Sequence, residues 1–231
     1  MGRVARWTAV IPVKRLGAAK SRLRGAVPAA RHQDLALAML GDTATAVLAT
    51  RDVADLLVVT DDPAAAAVAH ELGARSVPEP RAGSGGPAAS GTDAGLNDAL
   101  RYGADTVAGL RRDRVVLAAD LPALTPDDLG AALRSAGVRS FVADAAGTGT
   151  TLLTARRGTA LDPHFGAGSA SAHARSGAAE LTGDWPGLRQ DVDTAADLRT
   201  VLALGPGPRT CALLRDLGLV PDCGSSRLPA A

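Results

Sequence analysis

Short Val- and Leu-rich runs alternating with longer stretches of helical periodicity predict an α/β chain with a mixed, mostly parallel central sheet flanked by helices. Trp7–Val13, Asp55–Thr60 and Arg114–Ala119 are compact, apolar and bounded by polar loops, as strands covered on both faces are. Between them, Leu37, Leu40, Ala44, Val47 and Leu48 fall at helical spacing within Pro28–Thr50, and Leu96, Leu100, Val107 and Leu110 do so within Thr92–Leu110. Strand–helix–strand repetition argues for a parallel sheet. After residue 138 the rhythm changes. Ser140–Asp144 and Thr150–Ala155 are separated only by Ala-Ala-Gly-Thr-Gly, which suits a hairpin-like excursion and makes the sheet mixed.

The chain has 231 residues, enough for one large domain. We place this domain at 1–205 and a C-terminal tail at 206–231, with a short helix around Cys211–Leu217 and disorder beyond it. Apolar residues make up 46% and aromatics 2%, so the core is built from Ala, Val and Leu. A net charge of +1 supplies no global drive toward nucleic acid or membrane, and any basic site must be local. Cys211 and Cys223 have no metal or redox spacing and read as free thiols. There is no membrane-spanning apolar run and no signal-peptide pattern, so the sequence reads as cytoplasmic. Pro78–Gly91 reads as a mobile surface loop.

Only two lysines occur, Lys14 and Lys20, six residues apart in Ile-Pro-Val-Lys-Arg-Leu-Gly-Ala-Ala-Lys-Ser-Arg directly after the first strand. Every other basic residue except the four histidines is Arg. Chance in an Arg-biased chain is one explanation. The other is a polyphosphate-binding loop that uses compact, rotatable ammonium groups, placed where open α/β sheets bind ligands.

Acidic residues after strands are commonly helix caps. Asp62 before Pro63 reads as one. Asp120 does not, because the next helix has its own start signal in Thr125-Pro126-Asp127-Asp128. It is left over at the carboxyl end of a strand, where an ion-pair or turn role competes with a ligand role. In Asp191-Val-Asp193, extended residues two apart share a face, with Cα atoms roughly 6.5–7 Å apart. The following Thr194-Ala-Ala-Asp197 reads as a capping box, which frees Asp193 from that duty. Partly buried paired carboxylates need neutralising, and oxygen-only donors favour Mg²⁺ or Mn²⁺. Gly147-Thr-Gly-Thr-Thr151 and Phe165-Gly-Ala-Gly-Ser169 form a third set. The second leads into an expected helix whose N-terminus and Ser169 hydroxyl suit an anion, although Ser169 also reads as a plain N-cap. His164 and His173 flank this region without a clear role.

These segments, together with Gly95-Leu-Asn-Asp-Ala-Leu, Ala119-Asp-Leu-Pro-Ala-Leu and Leu161-Asp-Pro-His-Phe-Gly, resemble the phosphoenolpyruvate (or 2-phospholactate) guanylyltransferases of coenzyme F-420 biosynthesis. The resemblance runs from about residue 7 to 205. It implies a single-domain nucleotidyltransferase fold of the glycosyltransferase-A kind, GTP as donor, Mg²⁺ as cofactor and a small phosphorylated carboxylic acid as acceptor. It places Asp120, Asp191 and Asp193 on the metal, and Thr150, Gly166 and Ser169 on the acceptor. Lys14, Lys20 and Arg22 fall on the GTP phosphates, Asn97 lies near the nucleoside, and Lys20 and Asp120 are the catalytic pair. A homodimer is compatible with it. The acceptors open at this point are phosphoenolpyruvate, which we favour, 2-phospho-L-lactate and 3-phosphoglycerate. Another nucleotidyltransferase or sugar transferase of the same fold is the competing activity. A weak Gly83-Ser-Gly-Gly run points instead to a dinucleotide-binding oxidoreductase, but no strand–turn–helix context surrounds it. A non-catalytic binding protein would have little reason to keep three acids free of capping.

Overall fold

A computed structural model of the chain describes residues 7–14, 23, 26–80, 92–109 and 111–220, without the side chains of 92–94 and 106–108. The sheet has seven strands. β1 is Trp7–Pro12, β2 Val53–Val59, β3 Arg75–Val77, β4 Asp113–Leu117, β5 Arg139–Ala143, β6 Thr150–Ala155 and β7 Ala179–Glu180. They lie in the order β3-β2-β1-β4-β6-β5-β7. β1 pairs in parallel with β2 and β4, β2 with β3, and β5 with β7, whereas β6 runs antiparallel to both β4 and β5. Only β6 is reversed. The carboxyl ends of β1, β4 and β5 and the start of β6 therefore share one edge of the sheet.

Helices cover both faces: α1 His32–Ala49, α2 Pro63–Glu71, α3 Thr92–Arg101, α4 Pro126–Ser135, α5 Ser169–Arg175, α6 Pro186–Arg189, α7 Ala195–Leu204 and α8 Pro208–Asp216. Alternation along β1 divides the core, because successive side chains point to opposite faces. Trp7, Ala9 and Ile11 join α1, α2 and α4 on one face, and Val10 joins Leu57, Val116, Phe141 and Leu153 under α3 and α5 on the other. The expected single helix over Thr92–Leu110 divides into α3 and a π-helical turn, Tyr102–Gly109. Gly103 sits so close to the sheet that a Cβ would meet Val59 Cγ2 at 2.6 Å.

The caps are those the sequence indicates. Asp62 accepts from the N–H groups of Ala64 and Ala65, Thr125 caps α4, and Thr194 forms a capping box with Asp197. α8 packs on α1 through an unusual acid. The Asp42 carboxylate, buried within α1, accepts the N–H groups of Arg209 and Thr210 at 3.0 and 2.8 Å, satisfying two donors that the start of α8 leaves open. Burial pushes the Asp42 carboxyl above its ordinary value against these hydrogen bonds. Cys211 is buried on α8, its sulfur accepting from Arg215 Nη2 at 3.7 Å, and Cys223 lies outside the described residues. Among the described residues, no helix is long and apolar enough to cross a membrane.

Candidate active site

Four segments meet at the sheet edge defined above. The Ala119–Leu121 turn after β4 is held by Thr43, a buried residue of α1. Its hydroxyl accepts the Leu121 N–H at 3.1 Å and donates to the Met39 carbonyl at 2.8 Å. Asp120 is half-buried between these anchored neighbours. Next to it, α6 lies flush on the Leu121–Leu124 turn. A Cβ on Gly187 would come within 2.2 Å of the Ala123 carbonyl oxygen, so only glycine permits this approach.

Arg189 ends α6 and ties it to the sheet. Its guanidinium donates to the carbonyls of Ala143 and Leu181 at 3.0 and 2.8 Å, and its own carbonyl accepts the Ala145 N–H at 2.8 Å. The chain then passes through Asp191-Val192-Asp193. Val192 is fully buried in the cluster beneath α7 and α8. Its acidic neighbours stand close enough to one another and to Asp120 that the charges of Asp120 and Asp193 both act on Asp191. Asp191 is half-buried and Asp193 exposed. The Asp197 carboxylate holds the Asp193 and Thr194 N–H groups at 3.1 and 2.7 Å, which fixes the far end of the segment.

A fourth acid, Asp144, follows β5 and was not singled out by the sequence. Its carboxylate accepts the N–H groups of Thr148 and Gly149 at 2.9 and 2.8 Å and closes the small-residue loop on itself. A Cβ on Gly149 would lie 2.4 Å from the Asp144 carboxylate, so a larger residue there would displace that carboxylate. The spacing Asp144-x₃-Thr-Gly, an acid four and five residues before the two N–H groups it accepts, is the signal that marks it.

The electrostatics of this edge centre on Asp191. Burial, and then the charges of Asp120, Asp193 and Asp144, push its carboxyl up to about 7. Like carboxylates crowded in a poorly solvated place disfavour ionisation and are relieved by a cation. The donors are all carboxylate oxygens, which suits a hard divalent ion. Among the described residues, however, no group of three His, Cys, Asp or Glu is placed to close around a metal on its own. The donor chemistry fits a divalent ion whose remaining ligands come from elsewhere, as Mg²⁺ generally takes one or two carboxylates plus phosphate oxygens and water.

On the other side of the edge stands a polar cradle built on His173. This residue of α5 is fully buried. Its Nε2 accepts the His164 N–H at 2.9 Å, so in the neutral ring Nδ1 carries the proton and donates to Thr150 Oγ1, also at 2.9 Å. Burial, with smaller contributions from His164 and Arg139, pushes His173 down to about 4 and keeps it neutral. The Thr150 hydroxyl proton is then directed away from the ring. Phe165 packs edge-on against His173 at 5.1 Å. The side-chain amide of Asn97 spans the Phe165 backbone, donating to its carbonyl at 2.9 Å and accepting its N–H at 2.7 Å. Asn97 thus anchors the Phe165–Ser169 loop. In that loop Gly166 and Gly168 adopt φ of 130° and 69°, open only to glycine at low cost. Gly168, not Ser169, is the N-cap of α5, and Ser169 is its first, buried residue.

The structure therefore gathers Asp120, Asp191 and Asp193 on one side of the edge and Thr150, Gly166, Ser169 and Asn97 around the His173 cradle on the other. Lys14 follows β1 and is exposed toward the same edge. Lys20, Arg22 and Gly83-Ser-Gly-Gly lie outside the described residues. His173 and Asp144 are the residues that the sequence alone did not assign.

Comparison with known proteins places the chain in a family. A curated phosphoenolpyruvate guanylyltransferase of Salinispora arenicola is 53% identical over 216 residues, covering 90% of this chain and 92% of that protein. One of Geodermatophilus obscurus is 51% identical over 221 residues, covering 93% and 96%. Among solved structures, a protein described as a nucleotide-diphospho-sugar transferase from Desulfovibrio desulfuricans superposes with a TM-score of 0.63 at 18% identity, covering 92% of this chain and 95% of that one. A nucleotidyl transferase from Methanothermobacter superposes with 0.54 at 19% identity, covering 86% and 97%. These two share the fold: a single-domain nucleotidyltransferase architecture with a mixed, mostly parallel sheet. The family model of CofC-like guanylyl transferases matches residues 7–228, and the chain belongs to that family of enzymes.

Proposed function

We propose that the protein transfers GMP from GTP to phosphoenolpyruvate, forming enolpyruvyl-diphospho-5'-guanosine and pyrophosphate, the guanylylation step of coenzyme F-420 biosynthesis. The observation that supports it best is the opposition, across one sheet edge, of a carboxylate group centred on Asp191 and a neutral hydroxyl cradle centred on Thr150 and His173. The first suits a cation bound to a nucleotide's phosphates, and the second a small anion.

The acceptor's phosphate, largely dianionic at neutral pH, attacks the α-phosphorus of GTP. A P–O bond forms there as the bond to the β-phosphate oxygen breaks, and pyrophosphate leaves with that electron pair. The nucleophile needs no general base, and the neutral His173 is not positioned as one. What this chain supplies is neutralisation and in-line placement. Mg²⁺, when bound, would polarise the phosphoryl oxygens. Asp120, Asp191 and Asp193 would hold it, Lys14, Lys20 and Arg22 would meet the GTP phosphates, and Lys20 and Asp120 would act at the reacting phosphorus. Thr150, with its proton turned outward by His173, and Gly166 and Ser169 would receive the acceptor. Asn97, which anchors the Phe165–Ser169 loop, would lie near the nucleoside. A cytoplasmic location and a division at residue 205, both read from the sequence, and a homodimer compatible with the family resemblance complete the proposal.

Incubation with GTP and Mg²⁺ and equal concentrations of phosphoenolpyruvate, 2-phospho-L-lactate and 3-phosphoglycerate tests it, with mass spectrometry of the guanylylated products. The enolpyruvyl product should dominate. Dominance of another acid overturns the acceptor, and absence of any guanylylated acid overturns the activity. Thr150→Ala and Ser169→Ala should raise the acceptor KM by roughly tenfold, one lost hydrogen bond to a charged group each, and leave the GTP KM nearly unchanged. An equal rise in both would remove them from the acceptor side. Lys14→Ala and Lys20→Ala should weaken GTP binding in calorimetric titration, with Arg restoring it only in part. Unchanged affinity and turnover in both alanine variants would return the two lysines to chance.

A further inference from the structure

We propose that the opposite edge of the sheet bears a second anion site, for a small molecule carrying two or more phosphates. A cavity of about 620 Å³ opens there, lined by Arg111, Arg112, Asp113, Arg156 and Arg157. Strand pairing assembles it. Arg111-Arg112 leads into β4 and Arg156-Arg157 follows β6, and the antiparallel register sets Arg114 opposite Ala155. Continued by two residues, that register sets Arg156 opposite Asp113 and then Arg112 opposite Arg157, with Arg111 next beyond them. Like charges placed opposite one another across strands are destabilising, so the arrangement calls for a counter-charge.

The chain supplies only part of it. Asp113 is the single acid lining the cavity, and its carboxylate takes Arg156 Nη1 at 2.8 Å and the Arg157 backbone N–H at 3.0 Å. Arg156 is further fixed by the carbonyls of Ala136 and Gly137 and by stacking over the Trp7 ring at 4.7 Å, so its role is structural. The guanidinium groups of Arg111, Arg112 and Arg157 are exposed, and no carboxylate pairs with them among the described residues. The rim itself is held from below. Arg114, fully buried, donates to the carbonyls of Arg112 and Thr159 and pairs with Asp105 at 3.2 Å.

The volume is that of a small-molecule pocket, and planar guanidinium forks match phosphate oxygens two at a time. A nucleic acid would instead want an extended basic stripe, whereas these Arg side chains line one cavity. Asp113 and Asp120 lie at opposite ends of the β4 segment, so the two sites are roughly 20 Å apart at the rise of an extended strand.

Calorimetric titration of the full chain with inorganic tripolyphosphate, in EDTA to weaken the magnesium-dependent site, tests the proposal. One saturable site is expected. Its affinity should fall at least about tenfold in the Arg111→Gln/Arg157→Gln double variant, with guanylyl transfer and circular dichroism unchanged. Lys14→Ala should bind tripolyphosphate like the parent protein. Absence of saturable binding, or equal binding by the double variant, overturns the proposal. So does loss of binding in Lys14→Ala instead, which would place the ion in the active site. Arg-dependent binding of a poly-glutamate peptide where tripolyphosphate fails would overturn it in favour of an acidic protein segment.

Discussion

Asp191→Asn will reduce guanylyl transfer by on the order of 10²-fold or more and, at the same time, raise the melting temperature of the metal-free protein. Both effects arise from the same feature. In the folded chain the Asp191 carboxyl is pushed up to about 7 by burial and by the charges of Asp120, Asp193 and Asp144. A carboxyl whose folded value lies above its unfolded value favours folding while protonated, and loses that contribution as the pH rises through about 7. At and above neutral pH its ionised form therefore opposes folding, and the neutral amide removes the opposition. A gain of roughly 1 kcal/mol corresponds to about 2–4 °C for a chain of this size. The amide cannot replace the charged oxygen that a divalent ion would need, so transition-state stabilisation is lost. Asp120→Asn should lose comparable activity, and Asp193→Asn, whose residue is exposed, should change stability least. Thermal melts in EDTA and turnover at saturating Mg²⁺ check both halves. Near-parental turnover in Asp120→Asn and Asp191→Asn would remove these acids from the reaction. An Asp191→Asn protein that melts lower would show the carboxylate to be structurally satisfied instead.

His173→Ala is expected to have the second largest effect, on stability first. The substitution removes a buried ring that bridges Thr150 to the His164 backbone and packs between Phe141 and Phe165. It leaves a cavity and an unpaired N–H, a loss of about 2–4 kcal/mol. The parent protein should also be acid-labile in a defined window. With His173 held near 4 in the folded state against an ordinary 6.5, the unfolded chain binds the extra proton between these values. Stability contributed by the neutral ring is thus full above pH 6.5 and falls away as the pH drops toward 4, by a few kcal/mol in all. Denaturant melts at intervals across that range should show the loss in the parent and a flatter profile in His173→Gln. A His173→Gln protein that also keeps a low acceptor KM would show that Thr150 needs only a donor at this point. A raised acceptor KM at unchanged GTP KM would show that the ring's geometry matters. Equal acid sensitivity in parent and variant would place the titrating group elsewhere.

Much of this architecture is local, and local features are legible in a one-dimensional string. Apolar runs and helical spacing marked the strands and helices, because burial acts on each segment with a fixed period. Asp62, Thr125 and the Thr194–Asp197 box marked helix starts, because a cap bonds only to N–H groups two or three residues away. Removing those acids from consideration singled out Asp120, Asp191 and Asp193, and the motif order carried the family. The short gap between β5 and β6 announced an antiparallel excursion.

Long-range placement decided the rest. Asp144 was only the last residue of an expected strand until the tertiary fold brought the β5 end beside Asp191. His173 had no legible role because both of its partners, Thr150 and the His164 backbone, reach it through tertiary contact, and its tautomer follows from them. Gly187 was unremarked because the carbonyl that excludes a side chain there, that of Ala123, comes from a distant turn of the chain. The two Arg doublets lie more than forty residues apart, and only strand register makes them neighbours. Sequence by itself determined which segments form strands and helices and which acids are free of capping, since those depend on neighbours within a turn or two. Which groups share one small volume, and hence how their charges shift one another, was decided by the sheet order, because electrostatic coupling falls with distance through space and is blind to separation along the chain.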